Sequence, residues 1–254
     1  MNCTINKDDI DNAIVKTCIE IIQEPLLYFS EADIQQLLTE ELKKIEVLKK
    51  PYPTLIHKGK NSKGFYKASL LHREYGGGDG TRIDIVIFSD NDVKQIDDLN
   101  LKIGNIYITP EFAFELGTEK TINIGKHLEN DIKKLNNVKN TGYIIHIYKD
   151  TTKSPTGTKK RDNTVEKIKN AFKNAFEKNK CTNDKIKKLA ILLSPFKDQT
   201  LTKGKCEIFN GSNCKWEKVN VAYDDNLRDK IIDQLKYIKK TIINKESNEA
   251  NRRK

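Results

Sequence analysis

The chain has 254 residues, 37% hydrophobic and 32% charged, enough to bury an ordinary core; no run reaches the roughly 18–20 apolar residues of a membrane helix. Five scattered cysteines without a C-x-x-C pair argue against a disulfide framework or structural zinc; Cys206 and Cys214 flank an apparent hairpin and could face each other, but read rather as two free buried thiols. The net charge of +10 is uneven: residues 151–254 carry 26 Lys and Arg against 13 Asp and Glu, residues 1–150 carry 20 against 23, so the two parts hold +13 and −3.

In chain order, the polar start MNCTINKDD lacks the basic-then-apolar order of a secretory signal, which predicts a cytoplasmic protein. Residues 8–29 read as an amphipathic helix with Ile10, Ala13, Ile14, Cys18 and Ile21 on one side. Ser30 with Asp33 predicts a capped start for a second helix running to about Lys50, before Pro51 and Pro53. Its apolar stripe contains Ile34, Leu37, Leu38, Leu42, Ile45 and Leu48, and at 100° per residue Glu41 falls inside it. Three strand-like runs follow: Phe65–Tyr75, Thr81–Ser89 after the turn-rich GGGDG, and Ile106–Leu116. In the second run Asp84 shares a largely apolar face with Val86 and Phe88, and in the third Glu115 shares one with Ala113 and Glu111.

A helix over 123–137 turns Ile124, Leu128, Ile132 and Leu135 inward, and Tyr143–Tyr148 reads as an apolar strand in which His146 is a satisfied core residue. The stretch at 149–163 has no apolar residue and reads as an exposed basic loop. Beyond it are expected a helix over Thr164–Lys178, a strand over Leu189–Leu193, a hairpin of Cys206–Phe209 with Trp216–Ala222, a helix over Leu227–Asn244 and a disordered tail from 246. The expected organisation is a helical segment at 1–30, an α/β core at 31–148, the basic loop, and a C-terminal α/β extension over 164–245 packed on the core.

Burying an ionised carboxylate is costly unless a cation offsets it, so inward-facing acids on neighbouring elements call for a shared metal ion. Asp84, Glu115 and Glu41 are the candidate ligands, and a hard ion such as Mg²⁺, with Mn²⁺ as a substitute, suits carboxylates plus waters and phosphate oxygens. A plain salt bridge from Asp84 to Arg82 or Arg73 is the alternative at that position. There is no G-x-S-x-G elbow, H-E-x-x-H or Walker loop, and the four histidines show no pairing with cysteine.

The order of elements from 31 to 148, with Asp84 inside RIDIVIF and Glu115 inside EFAFELG, resembles the PD-(D/E)xK nuclease superfamily, the restriction-endonuclease-like fold. The resemblance covers about half the chain. It implies a helix, three strands, helix, strand core and a Mg²⁺-dependent DNA endonuclease of the restriction or defence type, acting as a homodimer. Asp84 and Glu115 would be its metal ligands and Glu41 the acid that some members supply from their first helix. His72 and Glu74, in LLHREYGGG, match members with a His or Glu near the cleft.

The superfamily's lysine two residues after the second acid is missing, because Gly117 stands there. Room at 117 invites an ammonium from elsewhere, with Lys120 as the first candidate and Lys126 as the second. For duplex DNA, Lys153, Lys159, Lys160 and Arg161 in the loop, with Lys167, Lys169 and Lys173 on the outer face of the next helix, are the expected phosphate contacts. Two other readings are a catalytically inactive DNA-binding or scaffolding module of the same fold and a nuclease for RNA or branched DNA.

Overall fold

A computed structural model describes residues 5–25, 27–28, 30–57, 65–76, 82–94, 108–118, 124–149, 158–179, 185–194, 205–211, 213–219 and 227–235. Helix α1 (Lys7–Gln23) starts where the Asn6 side chain accepts the Asp8 N–H, with Asp8 and Asp9 at the positive end of its dipole. Ile10, Ala13, Ile14, Cys18 and Ile21 are buried as their spacing predicts, but the helix ends six residues early. Pro25 is the physical reason, since its ring disfavours helical backbone at the preceding residue.

Helix α2 (Glu31–Leu42) has the predicted start: Ser30 caps Asp33 N–H, and the Asp33 carboxylate accepts the Ser30 N–H in return. It closes before the predicted end because the N–H groups of Lys44 and Ile45 bond carbonyls only three residues back, tightening the last turn. The short helix α3 (Glu46–Lys49) follows.

Strand β1 (Tyr52–His57), which Pro51 and Pro53 conceal in the sequence, pairs antiparallel with β2 (Phe65–Ala68) in a two-stranded sheet, where a proline can sit on a free edge. The single strand predicted over Phe65–Tyr75 is therefore two. The chain breaks at Ser69, whose hydroxyl accepts the Leu71 N–H, and β3 (Leu71–Gly76) joins the main sheet instead.

That sheet continues with β4 (Arg82–Ile87), the short helix α4 (Asp90–Lys94), β5 (Phe112–Gly117), helix α5 (Ile124–Leu135), β6 (Thr141–Lys149), helix α6 (Thr158–Lys178), β7 (Ile186–Ser194), β8 (Lys205–Asn210) and β9 (Lys215–Val219). Its seven strands lie in chain order, giving a mixed α/β architecture. Neighbours are antiparallel from β3 to β5, parallel from β5 to β7, and antiparallel again to β9. Parallel neighbours need crossovers, and α5 and α6 supply them. The C-terminal segment thus lengthens the same sheet.

Two further expectations need correction. The basic loop predicted over 149–163 is helical from Thr158, because α6 begins there and places 159–161 in its opening turns. Cys206 is the buried thiol expected, opposite Val219 in the β8–β9 ladder, but Cys214 occupies the turn and is only half-buried, so the two do not face each other; neither they nor Cys18 forms a disulfide among the described residues. The predicted C-terminal helix is helical over 227–235, and the tail from 246 lies outside the described residues. Among the described residues no helix is long and apolar enough to cross a membrane.

The central strand β6 is buried over 141–148, consistent with its uninterrupted apolar run. One face of the sheet carries Phe114 stacked on Tyr143 at 5.1 Å between ring centroids, and the Tyr143 hydroxyl donates to Asp11 of α1 at 2.7 Å. On the other face, Leu135 of α5 sits against Gly142, and Phe172 of α6 packs edge-on against Tyr148 and His146.

Candidate metal centre

Strands β4 and β5 pair with Ile85 opposite Phe114 and Val86 opposite Ala113. Continued by one residue, this register sets Asp84 opposite Glu115, and directly opposed residues of an antiparallel pair point to the same face. The two acids expected to converge therefore share a face of the sheet. Asp84 is held there by the Leu116 N–H, which donates to its Oδ2 at 2.7 Å. It forms no bridge to Arg73, whose guanidinium donates to Gln36 at 2.7 Å, and Arg82 is exposed.

Helix α5 adds three side chains that sequence reasoning missed. Lys134 Nζ donates to Glu115 Oε2 at 2.7 Å and stands 3.8 Å from Asp131 Oδ1. Asp131 Oδ2 lies 2.9 Å from His146 Nε2, and its Oδ1 lies 3.3 Å from His127 Nε2. His127, Asp131 and Lys134 are spaced by four and three residues, one line along the helix beside its apolar stripe. This spacing was readable in HLENDIKKL, yet only burial tells that Asp131 points inward, with 0% exposure.

A fourth acid comes from α2, but it is not Glu41. Glu41 is buried against a different neighbourhood: it pairs with Lys44 and lines a cavity with Asp9, Asn12, Lys16 and Arg228. The helix wheel gave its inward direction correctly and could not give its height. Ten residues of helix, about 15 Å, separate it from Glu31, the acid of the first turn whose charge is felt with Asp84. Between them Gln35 donates to the Asp84 carbonyl and to Glu74 Oε1, both at 2.8 Å, tying α2 to the strands.

The electrostatics mark this cluster as short of positive charge. Burial, then the nearby Asp84 and Asp131 charges, push Glu115 up to about 9 even though Lys134 opposes the shift. Burial and Asp84 push Glu31 up to about 7. Burial also raises Asp84, with the Leu116 N–H offsetting part of the effect. For Asp131 burial acts upward, but the imidazoles of His127 and His146 beside its carboxylate outweigh it and the net direction is down. Burial likewise works against the Lys134 charge, while Glu115 and its acidic neighbours hold the ammonium above its ordinary value. Lys134 does not offset the burial of Glu31, Asp84 and Glu115, all three of which are raised, while His127 and His146 hold Asp131 down. Moreover Glu115 Oε1 and Asp131 Oδ1 are buried and accept no hydrogen bond among the described residues. The buried Glu115 oxygen, with Asp84 opposite it on the neighbouring strand, could take a hard divalent cation.

Gly117 has a different neighbour from the one expected. It lies beside His146 in the β5–β6 register, and a Cβ at 117 would come within 2.6 Å of the imidazole Cδ2. The space is filled by His146, and the ammonium reaches Glu115 from α5. Lys120 lies outside the described residues, and Lys126 is exposed on α5. His72 bonds the Ser69 carbonyl at 2.8 Å and packs on Phe88, which makes it part of the turn. Glu74 adopts a left-handed φ of 52° and accepts from Gln35.

The proposed phosphate contacts divide. Lys153 lies outside the described residues, and Lys159, Lys160 and Arg161 lie in the first turns of α6. Lys167 is exposed. Lys169 is not on the outer face: its ammonium bonds Glu207 of β8 at 2.8 Å and its side chain is only 17% exposed, so it ties α6 to the sheet. Comparisons with protein-family models, curated proteins and solved structures find no match.

Proposed function

We propose that the chain is a divalent-metal-dependent nuclease that hydrolyses phosphodiester bonds of DNA, of the restriction or defence type that its sequence resembles. The observation carrying the reading is the convergence of Asp84 and Glu115 on one face, with a buried Glu115 oxygen left without a hydrogen bond. Mg²⁺ or Mn²⁺ held by these acids would polarise the phosphodiester and lower the pKa of a bound water. Asp84 is positioned by the Leu116 N–H, so its geometry is set by β5 before any ion arrives. Lys134 takes the part of the ammonium absent at 117, placed by Glu115 and Asp131 to orient the water or stabilise charge on the phosphorane. Basic residues of α6 and its approach would contact the phosphate backbone without reading sequence.

Plasmid nicking in Mg²⁺ or Mn²⁺ tests this reading. Asp84→Asn should abolish cleavage, and Lys134→Met should lower kcat by about 10²–10³ while DNA binding persists, the loss expected when one transition-state donor is removed. Cleavage by the Asp84→Asn protein at the parental rate would overturn the assignment. A non-cleaving DNA-binding module is the second reading, favoured by the His146 ring that occupies the usual lysine position. Retained binding with no nicking under any metal would select it.

A further inference from the structure

We propose that His127, Asp131 and His146 form a second metal site, selective for a borderline transition-metal dication such as Zn²⁺, separate from the hard-ion position at Asp84 and Glu115. One ligand atom from each of the three lies within 4.8 Å of the others. Zinc bonds of about 2.0–2.1 Å at tetrahedral angles put ligand atoms roughly 3.3 Å apart. The two imidazoles now flank the two oxygens of one carboxylate, His127 Nε2 at 3.3 Å from Asp131 Oδ1 and His146 Nε2 at 2.9 Å from Oδ2, so an ion entering between the rings would be met by this carboxylate. Small rotamer adjustments would complete the triangle. Its ligand set differs in kind from the neighbouring acids, because two imidazoles favour zinc-class ions over Mg²⁺.

Three further features belong to a built site rather than to a chance meeting of polar groups. Asp131 is fully buried, and its Oδ1 accepts no hydrogen bond among the described residues, with His127 Nε2 at 3.3 Å and the Lys134 ammonium at 3.8 Å as its cationic neighbours, so this oxygen has capacity for an ion. The second ring nitrogen of His146, Nδ1, lies 2.8 Å from the Tyr148 hydroxyl, the kind of outer contact that orients a ligating imidazole; with Nδ1–H donating to that hydroxyl, Nε2 would exchange its 2.9 Å hydrogen bond with Asp131 Oδ2 for a bond to the ion. Rigid elements supply the ligands: His127 and Asp131 are one turn apart on α5, and His146 is held on central strand β6 with Gly117 against its ring. Three protein ligands leave a fourth position for water or substrate, the arrangement of zinc sites that do chemistry.

The test is titration of the purified metal-free chain with Co²⁺ alone, a spectroscopic substitute for zinc, read by visible absorption and calorimetry. A tight equivalent should bind with the d–d bands of a nitrogen- and oxygen-ligated ion, distinct from any weaker binding at the carboxylates of Asp84 and Glu115, and Zn²⁺ should displace it. Affinity should fall by more than about tenfold in His127→Ala, a partly exposed position whose loss spares the core, and by about 10–100-fold in Tyr148→Phe. The Asp84→Asn, Glu115→Gln double variant should keep the cobalt spectrum even if it no longer cleaves DNA, which separates this site from the nuclease reading. Absence of binding, affinity indifferent to His127→Ala, or loss of the spectrum in the double variant would each overturn the proposal and leave a hydrogen-bonded His–Asp–His network.

Discussion

Gly117 shows how one residue can be read correctly as a departure and wrongly as a vacancy. Its missing side chain was visible in EFAFELG, but the occupant of the space comes from β6, twenty-nine positions away, through a parallel register that no local pattern encodes. The imidazole of His146 cannot retreat, being 1% exposed and fixed by Asp131 and Tyr148. Gly117→Ala should therefore destabilise the fold by about 1–3 kcal/mol, the usual cost of overpacking, measured as a lower midpoint in urea. Gly117→Lys, which writes in the lysine of the superfamily that the sequence resembles, should not raise cleavage on the proposed nuclease reading. An unchanged midpoint for Gly117→Ala would show that the ring yields and that His146 is not locked. Asp84 and Glu115, by contrast, were legible as single residues because an acid in the middle of an apolar strand is conspicuous, and the period of two fixes which face it shares.

Elements were legible where periodicity and caps agree, as at the capping box of α2 and the apolar stripe of α5. They were missed where tertiary pairing decides, as for β1 beside its prolines and for the opening turns of α6. The site also depends on a distance between elements: how closely α5 approaches β6. Gly142 sets that distance, since a Cβ there would meet Leu135 Cβ at 3.0 Å and its Cδ1 at 3.1 Å. Lys134 is the adjacent residue, bonded to Glu115. Gly142→Ala is thus expected to push α5 outward by a few tenths of an ångström, costing about 1–3 kcal/mol. Because the shift loosens the contact between Lys134 and Glu115, the proposed nuclease reading expects cleavage to fall more than DNA binding does. Equal losses in both would mean that the substitution acts only through global stability.

At the scale of the molecule, α1 is joined to the sheet through a polar node rather than by apolar packing alone. Asp11 accepts from Tyr143 of β6 at 2.7 Å, pairs with Lys7, and lies 3.5 Å from Lys187 of β7. The Lys187 ammonium, with 10% side-chain exposure, is pushed down to about 8 by burial first and by Lys7 next, although Asp11 pulls the other way. An unfolded lysine titrates near 10.4, so between about 8 and that value the unfolded chain binds more protons and stability rises with pH. Below about 8 both states are protonated, and the folded protein bears the full cost of the buried charge. Burial and Asp11 raise the Tyr143 phenol, so above about 10 the unfolded tyrosine ionises first and reverses the trend. Urea unfolding at intervals from pH 7 to 10 should show stability increasing from 8 upward, with the increase lost in Lys187→Met and that variant more stable than the parent at pH 7. A flat profile shared by both proteins would mean that Lys187 keeps its charge at no cost, with Asp11 rather than burial governing how α1 and the sheet meet.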